Sequence, residues 1–372
     1  MDLSGATYLI YAEGAFGVHS SKLATSAIRY LPDRVAGVID SEHAGRSVDA
    51  VLGFGGDIQI FSSVEEGLER SRIRPTALLI GIAPRGGRLP ADAVSVLVRA
   101  ASLGLDIVSG LHEFVSDIPE VAAAASASGA TIYDLRRPPT DLPVAVGLAR
   151  DVESFTVLMV GTDCNLGKMT AGLELRRGLE EAGERVSFAP TGQTGIMIEG
   201  WGIAVDSVVS DFIAGAAERL VLRAAELAGP EGIVIVEGQG ALIHPGYSGV
   251  TLGLLHGSMP AALILCHDAT RTKIRSEGVY DFVRIPPLSE MVALYEGVAG
   301  WLRPAPVLGI ALKTSDLSES DAKEAILRAE AETGLPVTDP VRFGPGPLVE
   351  AIRRAAAEYR LARQGTLTPL AG

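Results

Sequence analysis

Cysteine is almost missing from this 372-residue chain, which carries only Cys164 and Cys266. Two thiols so far apart exclude a disulfide framework and a cysteine-built zinc cluster, and suit reduced thiols in a cytoplasmic protein. Aromatic residues are scarce at 5%, too few for a surface that stacks single-stranded nucleic acid. Positive charge is in deficit. Lys+Arg 32 against Asp+Glu 45 leaves a net charge of −13, so no nucleic-acid partner is expected, because a phosphate backbone needs a basic face. No apolar run reaches the roughly 18 residues of a membrane helix, so no membrane partner is expected either. The opening MDLSGATYLIYAEGAFG lacks the basic segment of a secretory signal and reads as a first strand. What is present is a 47% hydrophobic chain, long enough for two domains. A small-molecule substrate and a homo-oligomer are expected.

The pattern is α/β throughout. Residues 1–135 alternate short apolar runs (8–11, 35–39, 77–82, 107–108, 131–133) with helical periodicity (20–30, 94–103, 121–128). Strands separated by helices of that length predict βαβ units and a Rossmann-like parallel sheet. Residues 136–150 begin with the proline-rich RRPPTDLP and read as a linker. Residues 151–372 form a second α/β domain. Its strand at 155–160 is nearly all apolar, as a strand buried on both faces must be. Further strands fall at 234–236, 262–265 and 307–311. Helices are expected at 169–182, 209–228, 288–301, 320–333 and 347–363.

The strongest chemical signal is Gly161-Thr162-Asp163-Cys164-Asn165-Leu166-Gly167-Lys168-Met169-Thr170. It follows a buried strand and opens a helix, the context of a phosphate-binding P-loop. Successive main-chain N–H groups wrap an anion, the helix N-terminus adds partial positive charge, and Lys168 adds a full one. Two departures from the common pattern matter. Five residues, not four, separate Gly161 from Gly167, and the fragment beginning Gly-Thr-Asp resembles the loop of dethiobiotin-synthetase-like proteins. Met169 also stands where Ser or Thr would hold Mg²⁺. Phosphate binding therefore has more support than Mg²⁺-dependent hydrolysis, although Thr170 lies one place on.

Other candidates sit where strands end. Thr191-Gly192-Gln193-Thr194-Gly195 follows a strand at the edge where α/β sheets bind ligands, and reads as substrate-contacting. Glu237, in Glu-Gly-Gln-Gly, holds the Walker-B-like position and is a candidate base. His244 and His267 are further candidate bases, and Asp211 a candidate carboxylate. Arg271, with Arg85 and Arg88 from the first domain, is expected to clamp an anionic substrate. Lys313 opens a polar loop of the kind that reads a purine ring. In the first domain, Gly14 and Gly17 do not complete a G-x-G-x-x-G pattern, although Asp40 suits the acidic ribose position of a dinucleotide site.

Gly161-Thr-Asp-Cys…Gly167-Lys168-Met169-Thr170, Pro190-Thr-Gly-Gln-Thr-Gly195, Ser210-Asp-Phe-Ile-Ala-Gly215 and Glu237-Gly-Gln-Gly-Ala241 occur in that order. Together they resemble a bacterial and archaeal family known as a domain of unknown function, which pairs a Rossmann-like N-terminal domain with a C-terminal P-loop domain. Some of its members are D-glutamate N-acetyltransferases, often encoded beside a dipeptide-epimerase-type enzyme. The resemblance implies an acetyl-CoA-dependent transfer onto an acidic amino acid, giving N-acetyl-D-glutamate. It assigns no catalytic residue, so the roles above rest on position in this chain. Two other readings stay open on the residues alone. One is an ATP- or GTP-dependent kinase or carboxylate-activating ligase using Mg²⁺. The other is a nucleotide-binding regulator without turnover.

Overall fold

The computed structural model describes residues 3–17, 20–82, 89–275 and 278–366. Among them, two six-stranded parallel sheets are formed. The first comprises β1 (Tyr8–Tyr11), β2 (Val35–Ile39), β3 (Ile60–Phe61), β4 (Ala77–Ile80), β5 (Asp106–Ser109) and β6 (Ile132–Asp134), in the order β3-β2-β1-β4-β5-β6. This is the doubly wound Rossmann order. β1 and β4 are buried along their whole length because helices cover both faces of the sheet.

The second sheet comprises β7 (Phe155–Gly161), β8 (Val186–Ala189), β9 (Ile233–Val236), β10 (Ala262–Asp268), β11 (Val307–Lys313) and β12 (Val337–Thr338). Its order is β12-β11-β10-β7-β9-β8. All seven residues of β7 are buried. The strand lies between β10 and β9, so the winding reverses at its carboxyl end. Such a switch point leaves a crevice at that end of the sheet, and the loop after β7 opens into it. The α/β expectation, with a Rossmann-like sheet followed by a P-loop domain, is borne out.

β3 and β12 are absent from the sequence reading. Each has two residues, too short to show any periodicity.

The chain divides into two compact units, Met1–Pro138 with Gly192–Ser207, and Pro139–Thr191 with Val208–Gly372. Residues 192–207 join the first unit because the helix Gln193–Glu199 lies beside the helix Lys22–Tyr30. Leu3 N–H also donates to Gly200 O at 3.3 Å. The 136–150 stretch is pinned rather than loose. Arg136 donates to Gly110 O at 2.9 Å and pairs with Asp206. In the second unit, buried Glu218 accepts the N–H groups of Val146 (3.1 Å) and Leu148 (2.6 Å).

In the first unit Asp40 is fully buried. Its carboxylate accepts Gly14 N–H at 2.8 Å and engages His43. The acid in the ribose position therefore braces the first βα turn from within.

Candidate functional site

The site is built on the loop that joins β7 to the helix Lys168–Glu181. Asn165 (φ +53°) and Gly167 (φ +88°) adopt left-handed backbone that bends the chain into a bowl. Gly167 is the N-cap, so the helix begins at Lys168 with its N-terminal N–H groups facing the bowl's rim. Lys168 is only 6% exposed. Its ammonium donates to Asp163 O at 2.7 Å and to Gly240 O at 2.8 Å. Two carbonyl dipoles hold the ammonium in place.

A second glycine turn, Glu237 to Ala241 after β9, forms the facing wall. Gly238 is required there, since a Cβ at this position would come within 1.5 Å of Met159 O. The turn is tied down at Glu237 and Gln239. Glu237 N–H donates to Ala189 O at 3.0 Å, and a Glu237 carboxylate oxygen accepts Thr191 N–H at 2.9 Å. Thr191 Oγ1 donates to Glu237 O at 2.9 Å. The Gln239 amide donates to Thr191 O at 2.5 Å, and Thr251 Oγ1 donates to Gln239 O at 2.8 Å.

The carboxyl end of β10 supplies the third side. Thr162 Oγ1 lies 2.8 Å from His267 Nδ1. Burial drives the imidazolium of His267 down to about 4, so the ring is neutral at physiological pH. Asp268 accepts Lys313 Nζ at 2.8 Å and the Thr270 hydroxyl at 2.7 Å. Burial opposes ionisation of Asp268, but those hydrogen bonds outweigh it and its pKa is lowered. Burial raises the Cys164 thiol, with Lys168 acting against it, and pushes Cys266 up to about 12. Neither thiol is an activated nucleophile.

Several sequence candidates thus meet around one loop: residues 161–170, Thr191, Glu237, His267, Arg271 and Lys313 all share its network. His244 joins them, with a ring nitrogen, Cys164 Sγ and an Asp163 oxygen lying within 4.8 Å of one another. This trio does not suit a metal. Asp163 is committed to Arg271 at 2.7 Å, and His244 Nδ1 is taken by Gly246 N–H at 3.1 Å. Arg271 is not open to a substrate carboxylate, because its guanidinium is bound to the loop itself. Asp211 lies exposed on the turn Ser210–Phe212. Gly192, Gln193, Thr194 and Gly195 belong to the first unit, whereas Thr191 belongs to the second. Arg85 and Arg88 lie outside the described residues.

Sequence reasoning missed Tyr295 and Thr251. Both act through hydroxyls on helices, where an apolar neighbourhood makes them read as core.

The donor set fits a phosphate-bearing ligand, with a left-handed glycine cap, a helix N-terminus and one cationic side chain. It does not fit a P-loop magnesium. Met169 is buried in the hydroxyl's place, and both oxygens of Asp163 are engaged by Arg271 and by main-chain N–H groups.

A family model for a domain of unknown function, the DUF1611 P-loop domain, matches residues 143–349, and its Rossmann-like N-terminal companion matches residues 41–138. The chain belongs to the DUF1611 family. A crystal structure of a DUF1611 family protein from Anabaena variabilis is 41% identical, with a TM-score of 0.85, covering 94% of this chain and all of that one. Two curated proteins named D-glutamate N-acetyltransferase are similar to it. The one from Tritonibacter scottomollicae is 36% identical over 93% of this chain and 98% of its own length. The one from Pseudoalteromonas sp. is 36% identical over 76% of this chain and 82% of its own length. Among the described residues, no helix of this DUF1611 protein is long and apolar enough to cross a membrane.

Proposed function

We propose that this protein is an acetyl-CoA-dependent N-acetyltransferase acting on D-glutamate. The observation that carries the reading is the placement of Lys168, drawn into a glycine-lined bowl at a helix N-terminus with a buried methionine at the next position. That arrangement favours a phosphate held without a divalent ion. Coenzyme A supplies such phosphates, and its thioester supplies an activated acetyl group. The names of the two curated relatives support the amine substrate.

Acetyl transfer to an amine needs a base for the ammonium proton and N–H donors for the developing oxyanion. Glu237 is the best-placed base. Its carboxylate is only 7% exposed and is oriented by Thr191 N–H. His267 is held neutral but is too weakly basic at about 4, and the Nδ1 lone pair of His244 already accepts Gly246 N–H. Main-chain N–H groups of the Gly238–Gly240 turn are the nearest candidates for the oxyanion, since Gly240 is already tied to Lys168.

Thermal unfolding with and without ligand tests the reading, followed by mass detection of N-acetylated product. Coenzyme A or acetyl-CoA is expected to raise Tm in EDTA, and D-glutamate to be acetylated in preference to L-glutamate. Stabilisation by ATP only, and only with Mg²⁺, would favour a kinase or ligase instead.

A further inference from the structure

Asp163 is a paradox in a loop that binds anions. It is a fully buried carboxylate two residues after Gly161. One of its oxygens accepts Arg271 Nη1 at 2.7 Å and Arg275 N–H at 2.8 Å, while the other accepts Cys164 N–H at 2.6 Å. The same guanidinium donates from Nη1 to Cys164 O at 2.8 Å and from Nη2 to Asn165 O at 3.3 Å. Its Nε faces Asp268 at 3.5 Å, and the side chain is only 11% exposed.

We propose that Asp163 and Arg271 form a charge-neutral clip that shapes the anion bowl, with Arg271 as a positioning residue rather than a ligand-binding cation. Carbonyls turned toward a phosphate repel it. Arg271 gathers two of them, those of Cys164 and Asn165, on the outer side of the loop, which leaves the N–H groups of the following residues for the bowl. Asp163 holds the guanidinium in register and cancels its charge. Arg271 therefore sets the shape of the site rather than its sign. Arg is needed rather than Lys, because a planar fork is what reaches a carboxylate and two carbonyls at once.

The clip rests on the anion reading of the loop but not on acetyl transfer, so inorganic pyrophosphate is a sufficient probe. Titration calorimetry without Mg²⁺ compares the wild-type protein with Asp163→Asn, Arg271→Lys and the double variant Asp163→Asn/Arg271→Lys. If charge acts directly on the ligand, Asp163→Asn removes a negative group and tightens pyrophosphate binding. If the pair acts as a clip, Asp163→Asn and Arg271→Lys each weaken binding by about tenfold, and the double variant is no worse than either single change. The same variants should raise KM for the phosphate-bearing cosubstrate more than they lower kcat. Tighter binding by Asp163→Asn, wild-type affinity in Arg271→Lys, or additive losses would overturn the clip. Failure of the wild-type protein to bind pyrophosphate would instead overturn the anion bowl on which it rests. Should Arg271→Lys fold poorly, the near-isosteric Asp163→Asn still decides the sign.

Discussion

The hydroxyl of Tyr295 donates to Gly161 O at 2.6 Å and accepts Leu242 N–H at 3.2 Å. One phenol thereby joins the start of the phosphate loop to the end of the facing glycine turn. The residue is fully buried, so neither polar partner has water as an alternative. Tyr295→Phe is expected to cost about 1–3 kcal/mol of stability, because a buried carbonyl and N–H lose their common partner. Ligand affinity should fall with it, since the two walls of the bowl are no longer held together. A Tm and a pyrophosphate affinity both equal to wild type would show that the bridge is dispensable.

Lys168 is the cation of the bowl. Lys168→Ala is expected to reduce pyrophosphate or coenzyme A binding by roughly a hundredfold or more, the scale of losing charge-assisted hydrogen bonds in a secluded site. The far-UV circular dichroism should persist, because the helix Lys168–Glu181 keeps its glycine cap. Unchanged affinity would move the anion site elsewhere.

Gly238 passes close to the backbone of β7. Gly238→Ala would drive a methyl group into Met159 O, 1.5 Å from the ideal Cβ position, and main chain cannot yield as a flexible side chain does. The expected loss is about 4 kcal/mol or more, read as a collapse of Tm or of soluble yield. A well-folded alanine variant would mean that the turn has room the packing does not show.

His267 gives an acid-sensitivity prediction. Its imidazolium sits near 4 in the folded protein, against 6.5 for an ordinary histidine, because burial disfavours the charge. As pH falls the unfolded chain takes up this proton first. The full stability is present above about 6.5, declines below that, and the loss is complete near 4. The contribution is on the order of a few kcal/mol. His267→Asn should flatten the dependence of Tm on pH across that window, and parallel curves would rule the titration out.

Much of this was legible in the sequence, for physical reasons that vary by residue. β7 announces itself because a strand buried on both faces leaves no room for polar alternation. Gly167 and Lys168 are legible because left-handed backbone and a helix start require those residue types in that order. Thr191 and Glu237 end neighbouring strands, β8 and β9, so their proximity follows from parallel pairing. Arg271 was a different matter. Its charge suggests a substrate clamp, and only the tertiary fold reveals that Asp163, 108 positions earlier, has claimed it. Tyr295 carries no signal at all, since a tyrosine in an apolar helix looks like core until its hydroxyl's partners are known. The assignment of residues 192–207 to the first unit is equally invisible, because it depends on which surface a short apolar helix finds.

That assignment also bears on how the polypeptide matures. The Rossmann-like unit needs residues 192–207 to be complete, yet β7, the phosphate loop and its helix all come before them in the chain. On the ribosome, the first unit must therefore wait, unfinished, while the opening quarter of its neighbour is being synthesised. A fragment cut at residue 138 would be expected to emerge as a sticky, incomplete body rather than a stand-alone module.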